Sequence, residues 1–552
     1  MLEYTSFAPL SPEAEQVLKA RYYKNGETSW SEVVDRVCRH MYVDDKKTHD
    51  MLLHRYMLPN TPTLVNSGRS DAGLSACYVL DMEDSIEDIY RVKKDVALIA
   101  RAGGGVGISL SRLRPEGSNV RGSAHEIAGG PVAFANTISV DADTLTQGGS
   151  LRPMALMFVM HVSHPDIRKF ITAKSEDGVI SNANISVMVD DAFMAAATHN
   201  LTYDLRFGGK VYESVMAREL LNLIATHTHK NGEPGILFER KINSHSPYKY
   251  DNNYITATNP CGEIPAPPNG VCNLASLNLA AFVRNGKIDT ALLQDATIRS
   301  VIFLDKVITY NVYPTKAIQE FVDHYRPIGL GVMGVADMFL KLGVRYGSEQ
   351  SIVLISYVLD VISDTAEQTS VELGGRLGEP KGCKTLPVPR RNMTVMSIAP
   401  TGSISIIAGC SSGVEPVFSP AIYRTNGVGS FFVDHPEAGN PAFVSALNGD
   451  PDKVVTPQEH LKMLSAAQRS VDSGVSKTIN LPHTATVQDV LDSLLFAWND
   501  PFIKGVAIYR DGSRSGQVLS SADKCPECES PLESDGGCQT CPNCGWSMCS
   551  IA

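Results

Sequence analysis

Helical and strand-like stretches alternate along the first 509 residues of this 552-residue chain, and no other property restricts its fold as much. Neither an all-helical bundle nor an all-β sandwich has that order, which points to an α/β fold with helices covering a largely parallel sheet. One helix can be drawn in detail. Ile86, Ile89, Val92, Val96 and Ile99 recur at spacings of 3, 3, 4 and 3 residues, the period of a single buried face. Asp84 and Ser85 stand where an N-cap belongs, and Gly103-Gly104-Gly105 end the helix. Further on, residues 392–398 (NMTVMSI) read as a strand running into the turn Pro400-Thr401-Gly402-Ser403, with an apolar run over 404–408 behind it.

Cysteine divides the chain in two. Six of the 12 cysteines fall between Cys525 and Cys549, so a Cys-rich tail follows a Cys-poor body. Residues 510–524 (RDGSRSGQVLSSADK) are polar and rich in Gly and Ser, and read as a flexible linker. The chain is 43% hydrophobic and 20% charged, an ordinary globular composition with enough apolar mass for a large core. A net charge of −11 argues against a nucleic-acid footprint over the whole surface, while leaving room for a local pocket that holds a few phosphates. No run approaches the roughly 18 apolar residues of a spanning helix, and Met1-Leu2-Glu3-Tyr4 lacks the basic-then-apolar order of a secretory signal. A soluble, cytoplasmic protein is expected, without membrane or nucleic-acid partners.

The chemistry concentrates in Asn259-Pro260-Cys261-Gly262-Glu263-Ile264-Pro265. Two prolines and the absence of any period predict a shaped loop. It presents an amide, a thiol and a carboxylate at alternate positions: a hydrogen-bond donor, a sulfur able to act as nucleophile or radical carrier, and a proton acceptor. Cys77 and Cys272 both border apolar segments, and two readings stay open for them: buried structural thiols, or a reversible dithiol beside Cys261. The turn at 400–403 offers backbone N–H groups and hydroxyls to an anion, although such turns are frequent without ligands. Gly329-Leu330-Gly331-Val332-Met333-Gly334 matches the spacing of a dinucleotide fingerprint, but the preceding His324-Tyr325-Arg326-Pro327 is a poor buried strand. Tight packing of a turn is the expected role of these glycines.

Taken in order, Asn60-Thr61-Pro62-Thr63, Ser75-Ala76-Cys77, Arg101-Ala102-Gly103-Gly104-Gly105, Asn259-Pro260-Cys261-Gly262-Glu263, Ile328-Gly329-Leu330-Gly331, Ala399-Pro400-Thr401-Gly402-Ser403 and Ser476-Lys477-Thr478-Ile479-Asn480 resemble the catalytic subunit of ribonucleotide reductase. The resemblance covers nearly the whole body. It implies a ten-stranded α/β barrel of two parallel half-sheets with a central finger loop, over residues 61–509, after an N-terminal helical region (1–60). It also implies that Cys261 is the thiyl-radical residue that abstracts the ribose 3′-hydrogen, that Glu263 takes the 3′-OH proton, and that Asn259 holds a ribose hydroxyl. Cys77 and Cys272 would supply reducing equivalents as the 2′-OH leaves as water, ending as a disulfide. Thr61, Ala76 and Gly103 would contact the ribonucleotide substrate, with Pro400, Thr401, Gly402 and Ser403 on its phosphates. For a deoxynucleotide effector the counterparts are Asp84, Arg114 and Arg121, with Lys174 opening the flexible loop 174–182; an N-cap for Asp84 and solvated charges for the arginines remain equal alternatives. Gly148-Gly149-Ser150-Leu151-Arg152-Pro153 departs from the family pattern by its proline. A homodimer is one assembly the resemblance permits, and no cone domain is expected before the barrel.

Reductases of this family differ in how the radical is made. Lys504-Gly505-Val506-Ala507-Ile508-Tyr509 is not a glycyl-radical motif, and no adjacent tyrosine pair stands near the end. The string 506–514 (VAIYRDGSR) and the Cys-rich tail resemble the adenosylcobalamin-dependent class; the alternative is a catalytic subunit that depends on a radical-generating partner. The tail (525–552) reads Cys525-x2-Cys528-x9-Cys538-x2-Cys541-x2-Cys544-x4-Cys549, and its C-x2-C knuckles are the pattern of a zinc site. Zinc on Cys525, Cys528, Cys538 and Cys541 leaves Cys544 and Cys549 as a redox pair; zinc on Cys525, Cys528, Cys541 and Cys544 leaves Cys538 with Cys549. Re-reduction of the body dithiol would then draw on a thioredoxin-like or other protein reductant. A zinc-ribbon nucleic-acid-binding protein explains the tail alone and leaves the ordered body motifs without a role.

Overall fold

The computed structural model describes every residue except 1–2, 6–8, 71–72, 121–122, 146–153, 176–178, 427–428, 449, 514–518, 522–532, 536–537, 542, 545–546 and 550–552. The N-terminal region is helical, as its sequence suggests, with helices Pro12–Val17, Trp30–His40 and Lys46–Leu53. Ser29 and Glu32 form a reciprocal capping box on the second of these. Buried Arg36 ties the region to the rest of the chain: it pairs with Glu27 at 2.6 Å and donates to the carbonyls of Leu64 and Ser67 at 2.9 and 3.0 Å.

Five strands then run parallel and side by side: β1 (Cys77–Asp81), β2 (Gly105–Ser109), β3 (Leu156–His161), β4 (Ala183–Val189) and β5 (Gly235–Phe238). A second parallel set follows, comprising β6 (Val271–Asn278), β7 (Ile328–Met333), β8 (Thr478–Leu481) and β9 (Gly505–Arg510). The two sets meet at antiparallel seams, β6 on β1 and β9 on β5. Isolated parallel bridges from Met396 to Leu330 and from Ile398 to Val475 close the ring of pairings between β7 and β8. This is the expected barrel of two half-sheets. The short strand Met57–Pro59 also pairs antiparallel with β6, opposite Ala275, Ser276 and Leu277.

Three local expectations need adjustment. Residues 392–398 form no continuous strand; they touch their neighbours through those single bridges, because Arg390 and Asp472 occupy much of the segment's backbone hydrogen-bonding capacity. The glycines of the fingerprint-like motif serve packing: Gly334 does so in the expected turn, at φ 72°, whereas Gly329 and Gly331 do so within a strand. A Cβ on Gly329 would lie 2.4 Å from Leu274 Cδ2, and one on Gly331 would lie 2.3 Å from the Ser397 carbonyl oxygen. His324 and Tyr325 end a helix, Lys316–Tyr325, so no strand precedes the motif in the way a dinucleotide site requires. The linker is also not featureless, since Leu519–Ser521 pairs as a strand with Ala421–Asn426; three residues are too few to show a period.

The helix predicted around residues 86–99 is α1, Ile86–Ala102. Ile89, Val92, Val96 and Ile99 are buried, whereas Ile86, at its first position, is 54% exposed. Ser85 caps it through Asp88 N–H at 3.1 Å, and Gly103 stops it in the left-handed region at φ 97°. A second helix, α2 (Gly130–Thr144), lies beside it, with Lys93 paired to Asp141 at 3.0 Å. Among the described residues no helix is long and apolar enough to cross a membrane.

Candidate active site

The segment 259–264 is the tip of a hairpin whose arms, Ala257–Thr258 and Pro265–Ala266, pair antiparallel. Asn259 closes the tip. Its N–H donates to the Ile264 carbonyl at 3.2 Å, its side-chain oxygen accepts from Ile264 N–H at 2.8 Å, and its carbonyl accepts from Gly262 N–H at 3.1 Å. Gly262 turns there with φ 83°, a conformation that costs a side chain dearly. The hairpin enters the barrel because glycines make room. A Cβ on Gly107 would sit 1.6 Å from the Thr258 carbonyl oxygen, and one on Gly474 would sit 2.7 Å from that of Gly262.

At the tip, Cys261 is exposed and faces a cavity of about 1070 Å³. Below it lies a buried group. Asn259 Nδ2 reaches Cys77 Sγ at 3.1 Å, and the Cys77 thiol reaches Glu263 Oε1 at 3.5 Å. Cys272 stands directly opposite Cys77 across the β6–β1 seam. Burial, then the Glu263 charge, pushes the Cys77 thiol well above its ordinary pKa; burial, then Asp472, does the same for Cys272. Both are therefore protonated near neutral pH and suited to give up hydrogen rather than to act as thiolates. Burial also raises the Glu263 pKa, against the hydrogen bonds from Asn259 and Cys77. Its Oε2 is a buried acceptor with no hydrogen-bond partner among the described residues, and Glu263 itself lies behind the residues that line the cavity.

The expected phosphate turn borders the same cavity through Pro400 and Gly402. Thr401 lies in the left-handed region at φ 57°, and its hydroxyl accepts from Gly413 N–H at 2.8 Å; Ser403 precedes the short helix α3, Ile404–Ala408. Thr61, Ala76 and Gly103 do not line the cavity. They gather at the start of β1 and β2, where Thr61 bonds Tyr22 at 2.9 Å and the Ala76 carbonyl accepts from Gly105 N–H at 2.8 Å. Asp84 leaves helix capping to Ser85 and is held by Arg114, at 2.7 Å from its Nε. Lys174 pairs with Glu233 at 2.5 Å. Arg121 lies outside the described residues.

Two family models match the chain: "Ribonucleotide reductase, barrel domain" over residues 75–384 and 388–448, and "Ribonucleotide reductase, all-alpha domain" over 9–72. The chain belongs to the ribonucleotide reductase family. A protein of Mycobacterium tuberculosis (strain CDC 1551 / Oshkosh) named vitamin B12-dependent ribonucleoside-diphosphate reductase is 36% identical over 96% of this chain and 83% of its own length. One of the same name from Thermoplasma acidophilum is 39% identical over 84% of this chain and 65% of its own length. The Actinobacillus ureae class Id ribonucleotide reductase alpha subunit has the same fold, with TM-score 0.76 at 21% identity, covering 92% of this chain and 98% of that one.

The reductase site includes residues that the sequence did not single out. Asn184, near the start of β4, donates to the Pro260 carbonyl at 3.2 Å. Ser397 and Gly474 both donate to the Glu263 carbonyl, at 2.9 and 2.8 Å. Fully buried Lys477, known from the sequence only as part of a motif, pairs with Glu415 at 2.7 Å and donates to His460 Nδ1 at 2.9 Å, fastening the segment after α3 to β8. No local pattern marks a lone Asn or Ser in a strand as functional.

One group among the described residues resembles a metal site: His161, the last residue of β3, with Asp190 and Glu239, just after β4 and β5, their ligand atoms within 4.8 Å of one another. The Ser163 N–H donates to His161 Nδ1 at 3.2 Å, which assigns the ring proton to Nε2, 3.5 Å from Glu239 and 3.8 Å from Asp190. Of the tail cysteines, Cys525 and Cys528 lie outside the described residues, Cys541 is buried and Cys544 is exposed. The strands Cys538–Thr540 and Ser547–Cys549 pair so that Cys538 is opposite Cys549.

Proposed function

We propose that this chain reduces ribonucleoside diphosphates to 2′-deoxyribonucleotides in an adenosylcobalamin-dependent reaction, with Cys261 as the radical residue. The observation that carries the reading is the placement of one exposed thiol on a hairpin tip above a buried Cys77–Glu263–Asn259 group, with Cys272 opposite Cys77. The cobalamin class and the diphosphate draw support from the names of the Mycobacterium and Thermoplasma relatives. The cavity, about 1070 Å³, is slightly larger than the roughly 300–1,000 Å³ usual for one small ligand and would admit the adenosyl part of such a cofactor beside the substrate. Residues of β8 and β9, among them Asn480, Ile508 and Tyr509, line its wall and would hold the group beside Cys261. When bound, adenosylcobalamin supplies a carbon-centred radical.

The chain's own residues would do the rest. Cys261 takes the ribose 3′-hydrogen and later returns it. Glu263 accepts the 3′-OH proton, and Asn259 orients a ribose hydroxyl. The 2′-OH leaves as water while Cys77 and Cys272 give up two hydrogens and form a disulfide, so that one alcohol and two thiols become one C–H bond, one water and one S–S bond. Pro400, Thr401, Gly402 and Ser403 would meet the phosphates.

Asp84 and Arg114 support an effector site at the far end of β1, and exposed Ile86 and Tyr90 on α1, with Val140 on α2, support a homodimer through these helices. In the tail, the register that sets Cys538 opposite Cys549 supports zinc on Cys525, Cys528, Cys541 and Cys544, with Cys538 and Cys549 left as the redox pair. The testing experiment uses the purified chain with adenosylcobalamin, a reductant and each of the four ribonucleotides as di- and triphosphates. Deoxyribonucleotide formation without oxygen or a second subunit is expected. Inert cobalamin across that panel, with activity restored by an added metalloprotein partner, would transfer the chain to the partner-dependent class.

A further inference from the structure

Residues 179–182 lead into β4, and their anchorage, with that of Lys174, connects two parts of the molecule. Lys174 Nζ donates to the Ala183 carbonyl at 2.7 Å and pairs with Glu233, so Lys174 is clasped to the first residue of β4. On the other side Ile180 N–H donates to Asn136 Oδ1 at 3.0 Å, and Asn182 N–H donates to Ser139 Oγ at 3.1 Å, both on α2. Next in the chain, Asn184 projects into the cavity and donates from Nδ2 to the Pro260 carbonyl at 3.2 Å.

That carbonyl belongs to the peptide unit whose nitrogen is Cys261's own. The unit is planar and stiff, so a hydrogen bond that fixes its oxygen also fixes the direction in which the Cys261 Cα leaves it. From the second half-sheet's side the hairpin is held further along, at the Glu263 carbonyl, by Ser397 and Gly474. Asn184 holds it from the first half-sheet, one residue before the thiol.

We propose that Asn184 is a positioning residue for Cys261, and that Lys174, by clasping Ala183 and Glu233, sets the place from which Asn184 acts. The proposal rests on the radical role of Cys261. It gives residues 179–183 a direct mechanical line to the reacting sulfur, and it makes Lys174 part of that line rather than a nucleotide ligand.

The test compares Asn184→Ala, Asn184→Asp and Lys174→Met in the full chain, with two independent readouts. The first is the rate at which iodoacetamide labels Cys261 without cofactor or substrate, mapped by mass spectrometry. Asn184→Ala should change it severalfold, with Lys174→Met moving it in the same direction by less. The second is steady-state reduction with adenosylcobalamin. A thiol displaced by about 1 Å should lower kcat by roughly 10- to 100-fold, with KM, nucleotide affinity and melting temperature nearly unchanged. Asn184→Asp keeps the shape but turns an acceptor toward the carbonyl; relative to Asn184→Ala its deficit should shrink as pH falls and its carboxyl regains a proton to donate. Labelling and kcat both at wild-type level in Asn184→Ala overturn the proposal, as does a rise in KM and nucleotide Kd at unchanged kcat, which would make Asn184 a substrate contact. Should wild type itself prove inactive with cobalamin, the cobalamin reading fails, and the labelling comparison still decides whether Asn184 positions the thiol.

Discussion

Cys77 and Cys272 are register partners on neighbouring strands, at the seam where the two half-sheets run in opposite directions. Directly opposed residues on an antiparallel pair carry their side chains on one face with Cβ atoms roughly 4.5–5.5 Å apart, within reach of a sulfur–sulfur bond after small adjustment. The seam thus brings together two thiols 195 positions apart in sequence, beneath the tip that carries Cys261.

On the proposed reading the three thiols have separate roles. Cys261→Ser should abolish deoxyribonucleotide formation while leaving nucleotide binding and thermal stability close to wild type, because the residue is exposed and serine cannot supply an accessible radical. Cys77→Ser should instead lose reduction at the step of water loss, while Cys261 labelling by iodoacetamide persists. Product formed by Cys261→Ser at more than about a tenth of the wild-type rate would remove it from the radical role.

Glu263 should show itself in pH dependence. Its folded pKa is raised by burial, so the acid limb of kcat should lie above the ordinary carboxylate value of about 4.3, with activity lost as pH falls through the raised pKa because the base must be ionised. For stability the sign is opposite. A carboxyl that binds its proton more tightly when folded contributes stability fully present below the unfolded pKa and lost as pH rises through the folded one. Glu263→Gln should therefore be inactive yet melt higher than wild type at neutral pH, with the gap closing toward pH values below about 4. Equal melting temperatures across that range would contradict the raised pKa.

Gly107 offers a steric test. Gly107→Ala puts a methyl carbon 1.6 Å from the Thr258 backbone oxygen, an overlap that only a shift of the hairpin or of β2 can relieve. A loss of about 1–3 kcal/mol in stability is expected, together with a fall in kcat larger than that seen for Gly439→Ala, whose added carbon meets nothing within 4 Å. Denaturant unfolding of the two variants side by side measures the first effect.

Truncation after Ser520 should spare a single reduction per chain and block repeated turnover with a protein disulfide reductant. A small dithiol able to enter the barrel should restore part of it. Metal analysis of the intact chain should find about one zinc, lost in the truncated form. Undiminished turnover of the truncated chain with the protein reductant would end the shuttle assignment.

The sequence carried the site's reagents better than their supports. Cys261, Glu263 and Asn259 share one seven-residue segment, and the ordered motifs carry the family resemblance by themselves. The α1 stripe was legible because four of its five apolar positions face the core; Ile86 was misread because period alone cannot tell the first turn of a buried helix from an exposed position. Residues 392–398 looked like a strand through β-branched and apolar content, while their partner, Asp472, lies more than 70 positions away. Asn184, Ser397 and Gly474 act through single contacts with a distant hairpin, and nothing in their neighbours' identities announces that.

Strand direction has a last consequence. The first half-sheet presents the beginnings of its strands to the cavity, through Asn184 and Gly235, whereas β9 climbs past them toward Tyr509. Arg510 therefore ends β9 on the cavity side of the barrel, and thiols carried beyond it would be tethered reagents with a high effective concentration at the site. If they re-reduce Cys77 and Cys272 on their own barrel, turnover per chain should not change on dilution of the enzyme; a tail serving a neighbouring copy would lose its advantage as the copies separate.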